Sequence, residues 1–250
     1  MIERMIEEMK VLAIDTSNHP MSVALVEDDQ LKATITLNMV RNHSIYVLPA
    51  INDLFDKVGW QPKDIDRVVV AKGPGSYTGV RIAVTTAKTL AMTINKELVG
   101  VSSLQVLAAN VPNITDNLIV PFMDARRGNV FTGGYQYQNG RLVNVMNEQH
   151  VAYNDLLATL KKGKQPVYLV GEMTPKISKN ADPLPNNVQL LAPSYAMPST
   201  YQLAILGENA PAVKDIDDFV PNYLRITEAE VNWLKAHPGK HDESNYVQEV

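Results

Sequence analysis

The sequence has 250 residues, of which 45% are hydrophobic, so it can bury a sizeable core as one large domain or as two smaller lobes. Against 27 Asp and Glu residues stand 23 Lys and Arg residues, and the formal net charge of -4 gives no overall field that would attract a polyanion such as nucleic acid. The chain has no cysteine, which excludes disulfides, thiolate metal sites and cysteine nucleophiles and fits a cytoplasmic location.

The first forty residues predict a leader followed by three strands. Residues 1–10 lack the uninterrupted apolar run of a secretion signal or a membrane span, and we expect a flexible leader there. Apolar runs then alternate with turn residues, which is typical of short strands joined by tight connections. The predicted strands are Val11–Ile14, Met21–Val26 and Ala33–Leu37.

A helix is predicted next. Apolar residues recur at helical spacing from Leu48 to Val58 and stop at Gly59, and the polar cluster Asn42-His43-Ser44 before them is typical of a helix cap. Within this cluster His43 could cap the helix, pack against the core or touch a partner protein. As a lone histidine it does not make a catalytic triad.

The middle of the chain predicts a buried strand, a long helix and another strand. The unbroken apolar run at Ile65–Ala71 is typical of a strand buried on both faces. It leads into Gly73-Pro74-Gly75, after which a helix should begin near Ser76 and continue to about Asn95. A short strand at Leu98–Val101 follows, and the serines after it should cap a further helix.

The second half repeats this order of elements. A strand at Leu118–Met123 ends at Asp124, as the first strand ends at Asp15, and strands at Val130–Tyr137 and Leu142–Val145 follow it. Helix, strand and helix come next. A duplicated unit of three meander strands with alternating helices and strands predicts two α/β lobes, each a mixed sheet covered by helices, in the ribonuclease H-like architecture of actin-like ATPases.

We predict a first lobe from residues 11–104 plus 201–225 and a second lobe from residues 105–200, with flexible termini at 1–10 and 236–250. Prolines accumulate between residues 173 and 199, so this region should be rich in loops with one short strand near residues 188–191.

Four stretches, in order along the chain, resemble the TsaB family, whose members are also called YeaZ-like proteins. They lie on the predicted elements and span the chain almost end to end. The stretches are LAIDTSN from Leu12, GPGSYTGVRIAVTTAKTLA from Gly73, FMDARRGNVF from Phe122 and PNYLR from Pro221 to Arg225.

The resemblance implies a non-catalytic subunit of the machinery that attaches a threonylcarbamoyl group to adenosine next to the anticodon of tRNA. Expected partners are a second copy of the chain, a catalytic paralogue of the TsaD type and, through the complex, a TsaE-type ATPase and tRNA. The subunit should activate or position the paralogue in the cytoplasm, away from membranes. We expect it to bind no cofactor by itself, with ATP or ADP and a metal ion held by the partner subunits.

The helix after Gly73-Pro74-Gly75 carries small residues four apart, at positions 79, 83, 87 and 91, so another backbone could approach it closely. Such a stripe fits internal packing or a subunit contact, and the resemblance places this helix and the one after His43 at the interface. A specific contact of this kind covers about 800 Å² per partner. The candidate interface residues are His43, Ser44, Leu48, Tyr77, Thr78, Gly79, Ile82, Ala83, Thr86, Ala87 and Leu90.

The segment Gly73-Pro74-Gly75 admits two interpretations. Amide groups at a helix start attract phosphate, so a phosphate loop is one of them. The P-loop pattern, however, needs glycine followed by lysine and a hydroxyl residue, whereas Val80 and Arg81 follow Gly79 here. We therefore favour a structural turn that allows close helix packing.

The catalytic paralogue has two metal-binding histidines, spaced HxxxH, in the helix after the corresponding turn. In this chain the resemblance aligns Ser103 and Leu107 with them, and neither side chain can replace an imidazole ligand. The five histidines form no pair at this spacing within a predicted core helix. We therefore predict neither a metal site nor a catalytic residue.

Turn residues after the first strand of each half are candidate contacts for a nucleotide or a partner. Asp15, Thr16 and Ser17 stand where actin-like ATPases hold phosphate and magnesium-bound water, and Asp124 stands at the related place in the second half. An independent ATPase or phosphotransferase that uses Asp15 and Asp124 is therefore the alternative function. The competing interpretation, which we favour, is that both aspartates only stabilise turns through their own backbone.

Arg126 and Arg127 follow Asp124 at a predicted hairpin tip, where two guanidinium groups could pair with carboxylate or phosphate. They could contact a partner or nucleic acid, or they could simply be solvated. The signature from Pro221 to Arg225 should return the chain to the first lobe for packing rather than for chemistry.

Overall fold

A computed structural model of the chain describes residues 9–39, 42–113, 117–163 and 165–224. The described strands form two five-stranded sheets. The strands of the first sheet are β1 (Lys10–Asp15), β2 (Pro20–Glu27), β3 (Gln30–Asn38), β4 (Arg67–Ala71) and β5 (Glu97–Val101). Those of the second are β6 (Leu118–Asp124), β7 (Asn129–Gln138), β8 (Arg141–Ala152), β9 (Val167–Val170) and β10 (Val188–Leu190).

The two sheets share one topology. The strand order is β3-β2-β1-β4-β5 in the first sheet and β8-β7-β6-β9-β10 in the second. In each, the first three strands form an antiparallel meander, and the last two run parallel to the first strand. The predicted duplicated actin-like architecture is therefore confirmed.

Helices cover both faces of each sheet. On the first sheet, α1 and α2 cover the face that carries Leu12, Val68 and Val70, and α6 covers the opposite face. On the second, α4 covers one face and α3 covers the other. The helices are α1 (His43–Val58), α2 (Tyr77–Ile94), α3 (Ser103–Ala109), α4 (Tyr153–Lys162), α5 (Pro175–Ser178) and α6 (Thr200–Glu208).

Two helices lie between the sheets. Leu104 and Leu107 of α3 pack into the core of the second sheet, whereas Val106 packs toward the first. α6 follows the second sheet in the chain, yet Leu203 and Ala204 pack against the first, and α3 contacts α6. The predicted lobe boundaries fall within these two helices, and the division into residue ranges stays a prediction.

The elements differ from the sequence-based expectations mainly at three places, of which one is β3, predicted at Ala33–Leu37 and observed from Gln30 to Asn38. Lys10, which we assigned to the flexible leader, is the first residue of β1, whereas residues 1–8 and the tail at 236–250 lie outside the described residues. The strand predicted at Leu142–Val145 is longer, because β8 pairs with β7 as far as Ala152. Its later residues are mostly polar, so a search for apolar runs ends too early.

Among the described helices, none is long and apolar enough to cross a membrane.

The end of α6 gathers acidic groups. Arg67 of β4 donates from Nη1 to the backbone carbonyls of Gly207 and Glu208, at 2.9 Å each, which satisfies the helix end. The Glu208 side chain lies near Asp28 and Asp29 of the hairpin between β2 and β3. Partial burial, followed by the interaction with these aspartates, raises the pKa of Glu208 to about 7.

We expect Glu208→Gln to flatten the dependence of folding stability on pH. Because the folded-state pKa of Glu208 lies above its unfolded value, its contribution to stability is present at low pH and is lost as pH rises through about 7. The free energy of unfolding of the wild type, measured with urea at pH 5 and pH 8, should therefore fall more steeply than that of Glu208→Gln. Asp182→Asn at an exposed position is the control, and parallel curves for wild type and Glu208→Gln would contradict this assignment.

Candidate functional site

The turn after β1 is sealed against the start of α2. Thr16 donates from Oγ1 to the carbonyl of Gly79 at 2.6 Å, and the backbone amide of Ser76 donates to the carbonyl of Ser17 at 2.7 Å. A Cβ at Gly75 would overlap the carbonyl oxygen of Ser17, and one at Gly79 would overlap that of Thr16. Only glycine allows this approach of two backbones.

Several amides near the start of α2 already have partners within the chain. Gly73 donates to Ser103 Oγ at 3.1 Å, and the Ser103 amide returns a bond to the Gly73 carbonyl at 3.0 Å. The Gly79 amide donates to the Oγ of Ser76, which caps α2. This arrangement favours the structural turn over the phosphate loop for Gly73, Pro74 and Gly75.

The two candidate aspartates make the same local contact. Asp15 Oδ1 accepts the amide of Ser17 at 2.8 Å, and Asp124 Oδ1 accepts the amide of Arg126 at 2.7 Å. Asp124 Oδ2 also accepts the hydroxyl of Thr174 at 2.9 Å. Both carboxylates therefore brace turns, as the interpretation without catalysis expects.

Asp15 is closed off from solvent. Only 1% of its surface is exposed, and Thr16 and Ser17 are buried with it. Burial raises the pKa of the Asp15 carboxyl, and the hydrogen bond from Ser17 opposes this shift. A phosphate or a metal ion could reach this carboxylate only after the turn and the start of α2 separate.

The turn of the second half is open by contrast. Arg126 and Arg127 are exposed and have φ values of 69° and 53°, and Gly128 follows at 76°. Two successive non-glycine residues in the left-handed region cost about 1–2 kcal/mol each, so the surrounding hairpin must hold them. The sequence indicated a charged hairpin tip, but it gave no signal for this conformation.

The small-residue stripe of α2 does not form a surface. Gly79, Ala83 and Ala87 are buried, and the two alanines pack into the core between α2 and the first sheet. A side chain that its own chain covers cannot contact another subunit, so the assignment of these three residues to the interface is wrong. Their small size instead lets α2 approach the sheet.

The rest of the predicted interface occupies accessible parts of two neighbouring helices. Ser44 and Leu48 of α1 and Tyr77 and Thr78 of α2 are exposed. Three further residues of α2 are half-buried, and two of these pack partly against α1 and the core. The half-buried residues are Ile82, Thr86 and Leu90.

His43 neither caps α1 nor lies on its exposed face. It is the first residue of the helix and is buried, with Nε2 at 3.2 Å from the carbonyl oxygen of Asn18. The residue at the cap position, Asn42, has a left-handed backbone and makes no capping bond with its side chain. The capping interpretation of His43 is wrong, because its imidazole anchors α1 to the turn after β1. The interface assignment of His43 stays a prediction, which its burial opposes.

Sequence reasoning missed several residues of the accessible face. Ile45 and Tyr46 of α1 are exposed, and Ile45 stands three residues before Leu48 on the side of the helix away from the core. This second apolar stripe was visible in the sequence. Val220 and Tyr223 are exposed as well, and they come from the segment before Arg225, which lies outside the described residues.

The C-terminal segment joins this face through aromatic contacts. The rings of Tyr223 and Tyr77 stack with their centroids 4.9 Å apart, and Arg81 donates from Nη1 to the Tyr77 hydroxyl at 2.9 Å. The Asn222 amide bonds to the carbonyl of Lys72, and Leu224 packs against the core of the second sheet. The C-terminal segment therefore packs against the core, and it also connects both halves of the chain to the start of α2.

We call the exposed apolar side chains of α1, of the start of α2 and of residues 220–223 the docking face, because α1 and α2 cover the same face of the first sheet and Tyr223 stacks on Tyr77. The docking face consists of Ile45, Tyr46, Leu48, Tyr77, Val220 and Tyr223.

The start of α3 holds a hydrogen-bonded cluster. Ser103 and Leu107 are the two positions where we expected metal-binding histidines to be replaced. Ser103 is buried and bonds to Gly73, and Leu107 is part of the core. Next to them, the hydroxyls of Ser102 and Tyr135 both donate to Glu148. Burial, followed by the Glu148 charge, raises the pKa of the Tyr135 phenol. Within the described ranges, no three His, Asp or Glu side chains are grouped so that they could hold a metal ion.

The fold and the site together define an actin-like α/β protein. Its turn after β1 is closed, and its first lobe presents exposed apolar side chains on α1 and α2. A family model described as tRNA N6-adenosine threonylcarbamoyltransferase matches residues 32–233. The chain is 42% identical over 230 residues to the tRNA threonylcarbamoyladenosine biosynthesis protein TsaB of Bacillus subtilis, which covers 91% of this chain and 99% of that protein. The chain belongs to the TsaB family.

One further relative agrees with this assignment, and one solved structure has the same fold. TsaB of Escherichia coli is 35% identical over 129 residues, covering 51% of this chain and 55% of that protein. The crystal structure of an uncharacterized Pseudomonas aeruginosa protein with similarity to peptidase YEAZ has a TM-score of 0.74 at 24% identity, and it covers 87% of this chain and 100% of that chain. The second comparison supports the fold alone.

We expect Gly79→Ala to destabilise the protein by about 1–3 kcal/mol, because the added methyl group must push the turn after β1 away from α2. Gly163→Ala is the matched control. Its backbone φ is -71°, and its Cβ would lie 3.4 Å from the nearest atom, the carbonyl oxygen of Leu160. Urea denaturation of both variants measures the difference, and equal free energies of unfolding would show that the turn is not sealed.

Proposed function

We propose that this chain is a non-catalytic subunit that docks onto a TsaD-type catalytic paralogue through the docking face, and so activates or positions it for transfer of the threonylcarbamoyl group to adenosine in tRNA. As a member of the TsaB family, the chain takes part in tRNA threonylcarbamoyladenosine biosynthesis. The observation that carries the proposal is the exposed apolar face on α1 and α2, next to the turn after β1 that is sealed against the start of α2.

The exposure of the docking face supports a protein partner. Leu48 is 55% exposed and Ile45 is 62% exposed, and both project from a helix whose other side is already packed. Burying such a side chain completely stabilises a complex by about 1.5–3 kcal/mol. Tyrosine and arginine are enriched among residues that dominate binding energy, and the stacked pair Tyr77 and Tyr223 lies beside Arg81.

The same face supports a homodimer when the paralogue is absent. Two copies related by a twofold axis bring the same helices together, so one surface serves both partners in turn. Within this proposal the TsaE-type ATPase and tRNA reach the chain through the complex. ATP or ADP and the metal ion belong to the partner subunits.

An independent ATPase or phosphotransferase is the alternative function, and the geometry opposes it. Asp15 is buried under the start of α2, and its carboxylate already accepts the amide of Ser17. Asp124 is used to brace its own hairpin. Magnesium-dependent ATP hydrolysis that disappears in Asp15→Ala would favour the alternative.

We expect Leu48→Arg to abolish binding to the TsaD-type paralogue and to lower tRNA modification in a reconstituted system. The change places a charge on the docking face, where an unpaired charge cannot be buried without a large desolvation cost. It leaves the fold intact because Leu48 packs against nothing in the core. Pull-down and modification assays with purified components measure the effect.

Val143→Arg is the matched control for this test. Val143 is also an exposed apolar residue, but it lies on β8 of the second sheet, away from α1 and α2. The control should bind and support modification like the wild type. The proposal is wrong if Leu48→Arg, shown to be folded by circular dichroism, still binds the paralogue, or if Val143→Arg alone abolishes binding. Ala83→Arg is unsuitable for this purpose, because it would disrupt the core.

A further inference from the structure

A groove of about 370 Å³ lies on the face of the first sheet opposite the docking face. Its floor is formed by β2 and β3, and the loop before α6 together with the start of α6 forms its wall. Thr34 and Thr36 of β3 point into it, because their neighbours Ala33 and Ile35 pack toward α1 on the other face of the sheet. The volume is within the range of pockets that hold small molecules.

The floor of the groove is a chain of hydroxyl groups. Ser22 Oγ lies 2.8 Å from Thr36 Oγ1 and 2.8 Å from Thr200 Oγ1, and Thr200 Oγ1 lies 3.5 Å from Thr34 Oγ1. Thr34 donates its proton to the carbonyl of Val23. Ser22 and Thr200 are buried, so their hydroxyls are held in place rather than free to follow solvent.

A count of protons shows what this floor can bind. Ser22, Thr36 and Thr200 carry three hydroxyl protons, and the two short contacts between them use two. The third proton can go from Thr200 to Thr34 through the contact at 3.5 Å, whereas each hydroxyl oxygen has two lone pairs, most of which stay unused. The floor of the groove therefore offers mainly acceptors, and a ligand should bring several O–H or N–H donors to it.

The wall adds rings and a fixed loop. Asn110 donates from Nδ2 to the carbonyls of Tyr195 at 2.8 Å and Met197 at 2.7 Å, which fixes the loop before α6. Tyr195 and Tyr201 line the groove, and the exposed Leu31 stands at its rim. These side chains provide surfaces against which a flat ring can pack.

No charged side chain is found among the described residues that line the groove. A phosphate or carboxylate would therefore lose its hydration without gaining a counter-charge, and a cation would gain no carboxylate. A ligand of this site carries several hydroxyl or amine donors, a flat ring and no charge.

We propose that this groove is a binding site for an uncharged nucleoside, whose ribose hydroxyls meet the exposed hydroxyls of Thr34 and Thr36 while its base lies against the tyrosines. The buried hydroxyls of Ser22 and Thr200 hold the two threonines in place. The site lies on the opposite face of the sheet from the docking face. Ser22 stands opposite Asp15 in the pairing of β1 and β2, but Asp15 does not line the groove. The groove adds a small-molecule site to a subunit that we otherwise describe by its protein contacts.

The test is an NMR titration of the isotope-labelled full chain with adenosine. Saturable shifts of backbone amides around β2, β3 and the start of α6 are expected at ligand concentrations on the order of millimolar. AMP should bind at least about fivefold more weakly, because its phosphate finds no counter-charge. Absence of saturable shifts, shifts confined to the turn after β1, or equal binding of AMP would overturn the proposal.

Three variants complete the test. Thr200→Val removes one hydroxyl and keeps the shape, and it should weaken adenosine binding about fivefold or more. Because Thr200 is buried and its loss could disturb the fold, Leu31→Glu at the exposed rim is the second variant, which should weaken binding by placing a charge over the groove. Thr159→Val on α4 is the matched control and should bind like the wild type. Unchanged binding in both folded groove variants would overturn the proposal.

Discussion

The contact between the turn after β1 and the start of α2 is the constraint on which the rest of the first lobe depends. Two hydrogen bonds, from Thr16 Oγ1 to Gly79 and from Ser76 to Ser17, join the backbones where a Cβ at Gly75 or Gly79 would not fit. The contact buries Asp15 and sets where α2 begins. Since α1 is anchored to the same turn through His43, the position of the docking face follows from it as well.

The two halves share one fold, but the turns after their first strands differ in their surroundings. Each half ends its first strand with an aspartate that accepts the amide two residues later. In the first half the turn is buried under a helix, whereas in the second half the following residues form an open hairpin with Arg126 and Arg127 exposed. The closed turn favours a role in holding structure, and the open one stays a candidate contact for a partner or nucleic acid.

The sequence was sufficient to predict the fold because its strands are apolar runs bounded by turn residues. The start of α2 could be predicted because the helix begins shortly after the turn Gly73-Pro74-Gly75. The sequence was insufficient to predict which residues of the candidate site are accessible. Helical spacing shows that Gly79, Ala83 and Ala87 share one face of α2, but whether the sheet of the same chain or another subunit covers that face depends on tertiary packing. The packing assigns the stripe to the core and leaves Ile45, Leu48 and Tyr77 outside. The contribution of Tyr223 could not be read from the sequence either, because it depends on where the C-terminal segment crosses α2.

Hydrogen–deuterium exchange of the chain, alone and with a TsaD-type paralogue, tests the central claim most directly. If the docking face is the contact, amides in the first turns of α1 and α2 and in residues 220–224 should become protected when the paralogue is added. Amides of β8 and of the hydroxyl-lined groove should exchange as before. Protection confined to β8 or to the second sheet, or none at all in a sample shown to contain the complex, would contradict the account.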